Sequence, residues 1–161
     1  MPKPKPVPVP MPKPMPMPAP APEPSAADLP TLQDALSRVF APWVQALDLK
    51  IVRTQAGEIT LDLPVAPQHV HMGGVLCGQT MMAAADTAMV LAVMTRVGAF
   101  KPMTTVQLQT SFLRPVAGDS GTARVVARVL RLGRNLVFGE VELRNAKGEL
   151  AAHTTTTCAL L

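Results

Sequence analysis

The twenty residues from Gly78 to Val97 read GQTMMAAADTAMVLAVMTRV, and they restrict the fold more than any other part of the chain. Alanine and methionine favour helix, and glycines stand at both ends, Gly78 and Gly98. The apolar side chains spread around the whole helical circumference instead of forming one stripe. Such a helix is stable in water only when other elements enclose it, so the rest of the chain is expected to form a shell around it. Asp86 sits in the middle of the segment and is the only carboxylate between Asp62 and Asp119. A charge there is costly to bury unless something offsets the cost. The residues alone leave two readings open: a poorly solvated carboxylate that works as a base or nucleophile, or one satisfied by a neighbouring N–H or arginine.

The flanking sequence supplies the shell. Leu32, Leu36, Val39, Phe40, Val44 and Leu47 recur at helical spacing and predict a helix over 31–47 that Pro42 bends or divides. LKIVRTQAGEITLDLPV (49–65) predicts a β-hairpin turning at Ala56–Gly57. Four strand-like segments follow the central helix, at 103–116, 121–133, 135–145 and 149–161, and their short breaks favour antiparallel pairing. One antiparallel sheet curled around one buried helix fits this order, an α+β arrangement in a single domain over 25–161.

The first 24 residues obey different rules. Every second residue from Pro2 to Pro24 is proline, which fixes φ and removes the N–H, so the tract is expected to sample polyproline II as a solvated tail or spacer. The same prolines interrupt any apolar core of a signal peptide. The longest apolar run, near 80–94, contains Asp86 and falls short of a comfortable bilayer span, so no membrane partner is expected. Cys77 and Cys158 form no disulfide framework, which points to a reducing cytoplasm. His69, His71 and His153 are few for a metal centre.

The net charge is +4 and unevenly placed. Arg96, Lys101, Arg114, Arg124, Arg128, Arg131 and Arg134 face Asp119 alone, a local excess that points to an anionic partner. With no tyrosine, one tryptophan and no stacking motif, nucleic acid is not the expected partner. A small phosphorylated ligand fits the charge at least as well.

Three fragments in sequence carry a resemblance: GVLCGQTMMAAADTAM (74–89), TTVQLQTSFLRPVAGD (104–119) and LRLGRNLVFGEVEL (130–143). Together they resemble the hotdog-fold acyl-CoA thioesterases, in particular the phenylacetate-degradation (PaaI-type) branch, over nearly all of residues 30–161. The family pattern is an Asn, a Gly, then His-Gly-Gly, with an Asp nine residues after the His. Gly74 matches the first Gly, and Asp86, within ADTA, matches the Asp. His71 stands at the Asn position, Cys77 at the His position, and Gly78 and Gln79 at the two glycines.

The resemblance implies a hotdog fold, an antiparallel β-sheet wrapped around a central buried α-helix. It also implies hydrolysis of an acyl-CoA or aryl-CoA thioester, with coenzyme A belonging to the substrate and no separate cofactor or metal. Asp86 would be the catalytic carboxylate, as general base for water or as nucleophile. The oxyanion would accept from the Gly78 backbone N–H at the positive end of the helix. Thr105 lies where relatives place a hydroxyl that orients water, and His71 would take over a polar contact from the missing Asn. Gly78 and Asp86 are eight residues apart, roughly 12 Å of helical rise, too far to act on one carbonyl within one subunit. The resemblance resolves this by pairing subunits, so a homodimer or homotetramer with sites at the interface is expected. Coenzyme A phosphates then suit the arginines, Arg134 first, then Arg131 and Arg128. Met81, Met82 and Met89 serve an acyl pocket or plain core packing. Cys77 reads as a small residue at the helix start and not as a nucleophile. The competing readings are a non-catalytic acyl-CoA-binding hotdog protein and a hotdog 3-hydroxyacyl-CoA dehydratase.

Overall fold

A computed structural model describes residues 27–161, so the tail expected over 1–24 lies outside the described residues. The element order is α1 (Leu29–Arg38), α2 (Pro42–Gln45), β1 (Lys50–Gln55), β2 (Glu58–Pro64), α3 (Gly78–Val97), β3 (Met103–Phe112), β4 (Thr122–Leu132), β5 (Leu136–Arg144) and β6 (Leu150–Leu160), with one 3-10 turn at Pro67–His69. Helix α3 occupies the segment expected of it. It ends at Gly98, whose φ of 84° suits a residue without a Cβ and whose N–H closes onto the Met94 carbonyl.

The six strands form one antiparallel sheet in the order β1-β2-β4-β5-β6-β3, wrapped around α3 in the hotdog arrangement. Ile59, Leu61 and Leu63 of β2, Val125 and Ala127 of β4, and Val137, Val141 and Leu143 of β5 turn inward at alternate positions. They meet Ala84, Ala88, Leu91 and Ala92 of α3, all fully enclosed. Each buried leucine, isoleucine or valine contributes about 1.5–3 kcal/mol relative to exposure. By length and composition α3 could also cross a bilayer, but most of it is buried against the sheet.

The helix predicted over 31–47 is divided at Pro42, as expected: proline cannot continue the first helix and instead starts the second at a position where no N–H is needed. One expectation needs correction. Strands β3 and β4 are consecutive but unpaired: β4 joins β2, and β3 crosses to the opposite edge beside β6. The connection between them carries Pro115 and is tied to the segment before α3, with Leu76 N–H donating to the Val116 carbonyl at 2.9 Å and Gly118 N–H to the Gly74 carbonyl at 2.8 Å. A chain pinned there cannot make a tight hairpin.

The enclosure of α3 is also incomplete. Met82, Ala83, Asp86 and Val90, spaced along one helical face, remain only partly buried. On the far face of the sheet, charged side chains pair across strands, Glu58 with Arg53 and Arg128 and Asp62 with Arg124, while Glu142 pairs with Arg144 along β5 itself.

Candidate active site

Asp86 does not stand alone. The register of β3 brings Thr105 beneath the middle of α3, and its hydroxyl donates to Asp86 Oδ1 at 2.7 Å. Immediately after Thr105 the ladder is irregular: a bulge between Thr105 and Gln107 throws Val106 outward, 62% exposed. Bulges re-aim side chains, and this one leaves Thr105 turned toward the helix while Val106 faces away.

The start of α3 is held by its own loop. Val70 and Leu76 bridge, Cys77 N–H donates to the His69 carbonyl at 2.8 Å, and His71 N–H donates to the Val75 carbonyl at 3.1 Å. Cys77 occupies the N-cap position without making a side-chain cap, so the positive end of the helix carries no side-chain acceptor. Gly78 follows as the first helical residue. A Cβ there would lie 3.0 Å from Cζ of the Phe112 ring, so glycine allows both the ring and a ligand to approach the backbone. Phe112, Leu113 and Arg114 join Val75, Gly78 and Met81 around an open groove of about 380 Å³.

The remaining candidates fall in different places. His71 is exposed, and its Nδ1 accepts from Gly73 N–H at 2.9 Å, which leaves Nε2 for solvent or substrate. Arg134 is exposed in the β4–β5 turn, where Gly133 N–H donates to the Leu136 carbonyl at 2.8 Å. That turn is tied to the end of β6 by Leu160 N–H on the Asn135 carbonyl, so it lies at the same end of the sheet as the first residues of β3. Arg131 is exposed opposite Phe138 on the outer face. Arg128 is different: Glu58 holds its Nε at 2.8 Å, and Glu142 and Glu140 lie 3.7 and 3.9 Å from its guanidinium. Three carboxylates neutralise it and repel a phosphate, so the phosphate role does not carry over to Arg128. Met89 is fully buried against Gly139 and belongs to the core.

The sequence reading missed Phe112, Arg114 and Cys158 as residues near these groups. Phe112 and Arg114 lay within a quoted fragment, but only the fold puts them against Gly78. Cys158 is fully buried opposite Thr105.

The thiol of Cys77 donates to the His69 carbonyl at 3.0 Å, so it is turned back onto its own loop. Cys77→Ala is therefore expected to keep turnover within about threefold, the loss of one weak hydrogen bond. Abolished turnover in a folded Cys77→Ala protein, with acylated Cys77 found by mass spectrometry in the parent, would overturn that assignment.

Known proteins fit this arrangement. A family model described as "Thioesterase superfamily" matches residues 73–152. A candidate esterase of Saccharolobus solfataricus is 31% identical over 106 residues, covering 66% of this chain and 74% of that protein. The PaaI protein from the phenylacetic acid degradation operon of E. coli superposes with a TM-score of 0.71 at 20% identity, over 82% of this chain and 91% of that one. A hypothetical thioesterase protein of Streptococcus pneumoniae, solved with coenzyme A, superposes with a TM-score of 0.65 at 18% identity, over 70% of this chain and 85% of that one. At these identities the two structures speak for the shared fold.

Proposed function

The chain belongs to the thioesterase superfamily, and we propose from this that it hydrolyses an acyl-CoA or aryl-CoA thioester to the free acid and coenzyme A, as a member of the PaaI-type branch. The observation that carries the reading is the Thr105 hydrogen bond to Asp86. It fixes one carboxylate oxygen and leaves Oδ2 to meet water or the thioester. As general base, Asp86 takes a proton from water while the oxygen adds to the carbonyl. The tetrahedral intermediate then expels the coenzyme A sulfur, which recovers that proton. As nucleophile, Asp86 adds to the carbonyl and the coenzyme A thiolate leaves; water then cleaves the resulting anhydride, restoring the Asp86 carboxylate, releasing the free acid and supplying the proton that the thiolate takes up. In both versions the oxyanion accepts from Gly78 N–H at the uncapped helix start. His71 Nε2 is assigned a polar contact with the substrate. The chemistry draws on water and this chain's own groups, with no cofactor besides the substrate's coenzyme A. The two free thiols, Cys77 and Cys158, fit a cytoplasmic location.

A second subunit completes the site in this proposal. Strand β3 is an edge strand of ten residues, with Val106 and Phe112, and Leu113 just beyond its end, all more than half exposed. The unpaired backbone N–H and C=O groups of a long edge strand invite pairing. The partly covered stripe of α3 containing Asp86 lies on the side served by β3 through Thr105, so a partner docked at this edge would also cover Asp86. Coenzyme A, bound in the streptococcal protein, supplies the phosphates for Arg134 and Arg131. Arg114, in the groove beside Gly78, joins them as a candidate.

Release of free thiol from a panel of short, long and aromatic acyl-CoAs tests the reading. Turnover on at least one is expected; binding without turnover on any would leave a non-catalytic acyl-CoA-binding protein. In the same assay Arg134→Ala is expected to raise KM for acyl-CoA by at least about tenfold, the low end for one charged hydrogen bond, with a smaller fall in kcat. The effect should shrink for the matching acyl-pantetheine, which lacks the nucleotide phosphates. It should also fade with salt, since exposed charges are screened over ~10 Å at 0.1 M. Equal losses on both substrates would assign Arg134 to the fold or the dimer and end the phosphate role.

A further inference from the structure

Helix α3, β3 and β6 enclose one thiol that the proposed chemistry does not use. Cys158 is fully buried and faces Thr105 directly across the β3–β6 ladder. Directly opposed residues hold their Cβ atoms about 4.5–5.5 Å apart. On the other side, Thr156 Oγ1 lies 3.9 Å from Cys158 Sγ.

The protons in this cluster can be counted. A hydroxyl carries one proton. That of Thr156 is committed to the Gln107 carbonyl at 2.9 Å, and that of Thr105 to Asp86 Oδ1 at 2.7 Å. Toward Cys158, therefore, both hydroxyls offer lone pairs, and the only proton left to share is the thiol's own. The thiol also keeps that proton. Burial pushes its pKa up, and the nearby Asp86 charge adds to this. Thr105 needs such support because the bulge at Val106 interrupts the ladder immediately after it. A donor on its far side polarises the hydroxyl and fixes its rotamer, and such chains strengthen one another.

We propose that Cys158 is a positioning residue whose S–H donates to Thr105 Oγ1 and so holds the Thr105 hydroxyl proton on Asp86. The consequence for turnover rests on the thioesterase reading; the consequence for Thr105 does not. The test uses Cys158→Val, which approximates the volume without the donor, and Cys158→Ser, which keeps a donor, each alone and combined with Thr105→Ala. Steady-state kinetics give kcat and KM. Three-bond scalar couplings in threonine-labelled protein give the Thr105 side-chain rotamer without reference to activity.

Cys158→Val is expected to lower kcat about threefold to tenfold, the range of one net hydrogen bond, with KM unchanged and the Thr105 rotamer averaged. Cys158→Ser should recover most of the loss. In the Thr105→Ala background Cys158→Val should change kcat by less than about twofold, because the two residues act as one unit. Equal losses in both backgrounds, or a single fixed Thr105 rotamer in Cys158→Val, would overturn the proposal. If Cys158→Val does not fold, Cys158→Ala enters the same comparison. If the thioesterase reading itself fails, no wild-type turnover is seen, and the rotamer alone decides.

Discussion

Asp86→Asn is expected to lower kcat by at least ~10²-fold, the scale of a lost general base, while the protein remains folded. The substitution separates two roles that the carboxylate combines. The asparagine side-chain oxygen can still accept from the Thr105 hydroxyl, so the contact at 2.7 Å is preserved in kind. The capacity to take a proton, or to attack as an anion, is lost. Removing a charge from apolar surroundings carries no desolvation cost of its own, so the melting temperature should hold or rise. Because the lost interaction acts in the transition state, kcat and kcat/KM should fall together and KM should barely move. The measurement is free-thiol release beside a thermal melt of the same preparation. Near-wild-type turnover by folded Asp86→Asn protein would remove Asp86 from the chemistry.

How much of this site could be read in the sequence depended on the range of each contact. The limits of α3 were legible because its signals are local: helix-forming alanine and methionine between Gly78 and a left-handed Gly98. Asp86 stood out for the same reason, as one charge in an apolar run. Its partner Thr105 was available only through the resemblance, since nothing in TTVQLQ states that β3 leaves β4 and runs to the far edge of the sheet. Cys158 was hidden by the same crossover. The alternation in HTTTTCALL puts Thr154, Thr156 and Cys158 on one face, and all three are buried, but the opposing strand is fixed by tertiary packing. The arginine excess misled in part. Between Arg96 and Arg134 the sequence has one carboxylate, yet Glu58, Glu140 and Glu142 reach Arg128 from outside that window. Linear charge counts cannot see cross-strand pairs. Pro42 was correctly read as a break, and its stronger outcome, two separate helices, follows from its preference for a first helical turn.

Mixing two inactive variants should restore activity. In the proposed site, Asp86 of one subunit works with the helix start of the other, since the two groups are roughly 12 Å apart along one helix. Gly78→Val removes the second component: even a first carbon there would lie 3.0 and 3.2 Å from Phe112 ring atoms, and a valine would cover the N–H and fill the groove. Homodimers of Asp86→Asn and of Gly78→Val should both fall to about a hundredth of wild-type turnover or below. A heterodimer of the two has one site with both defects and one site with neither. Random reassociation of an equal mixture makes half the dimers hybrid, each with one intact site of two, so recovery of about a quarter of wild-type activity is expected. Differently tagged chains, refolded together and purified through both tags, would verify the hybrid and raise the expected recovery to about half. A site contained in one subunit predicts the opposite, because each chain then carries its own defect and no pairing repairs it. A verified, folded hybrid no more active than its parents would end the shared-site reading while leaving Asp86 itself to be judged by its single substitution.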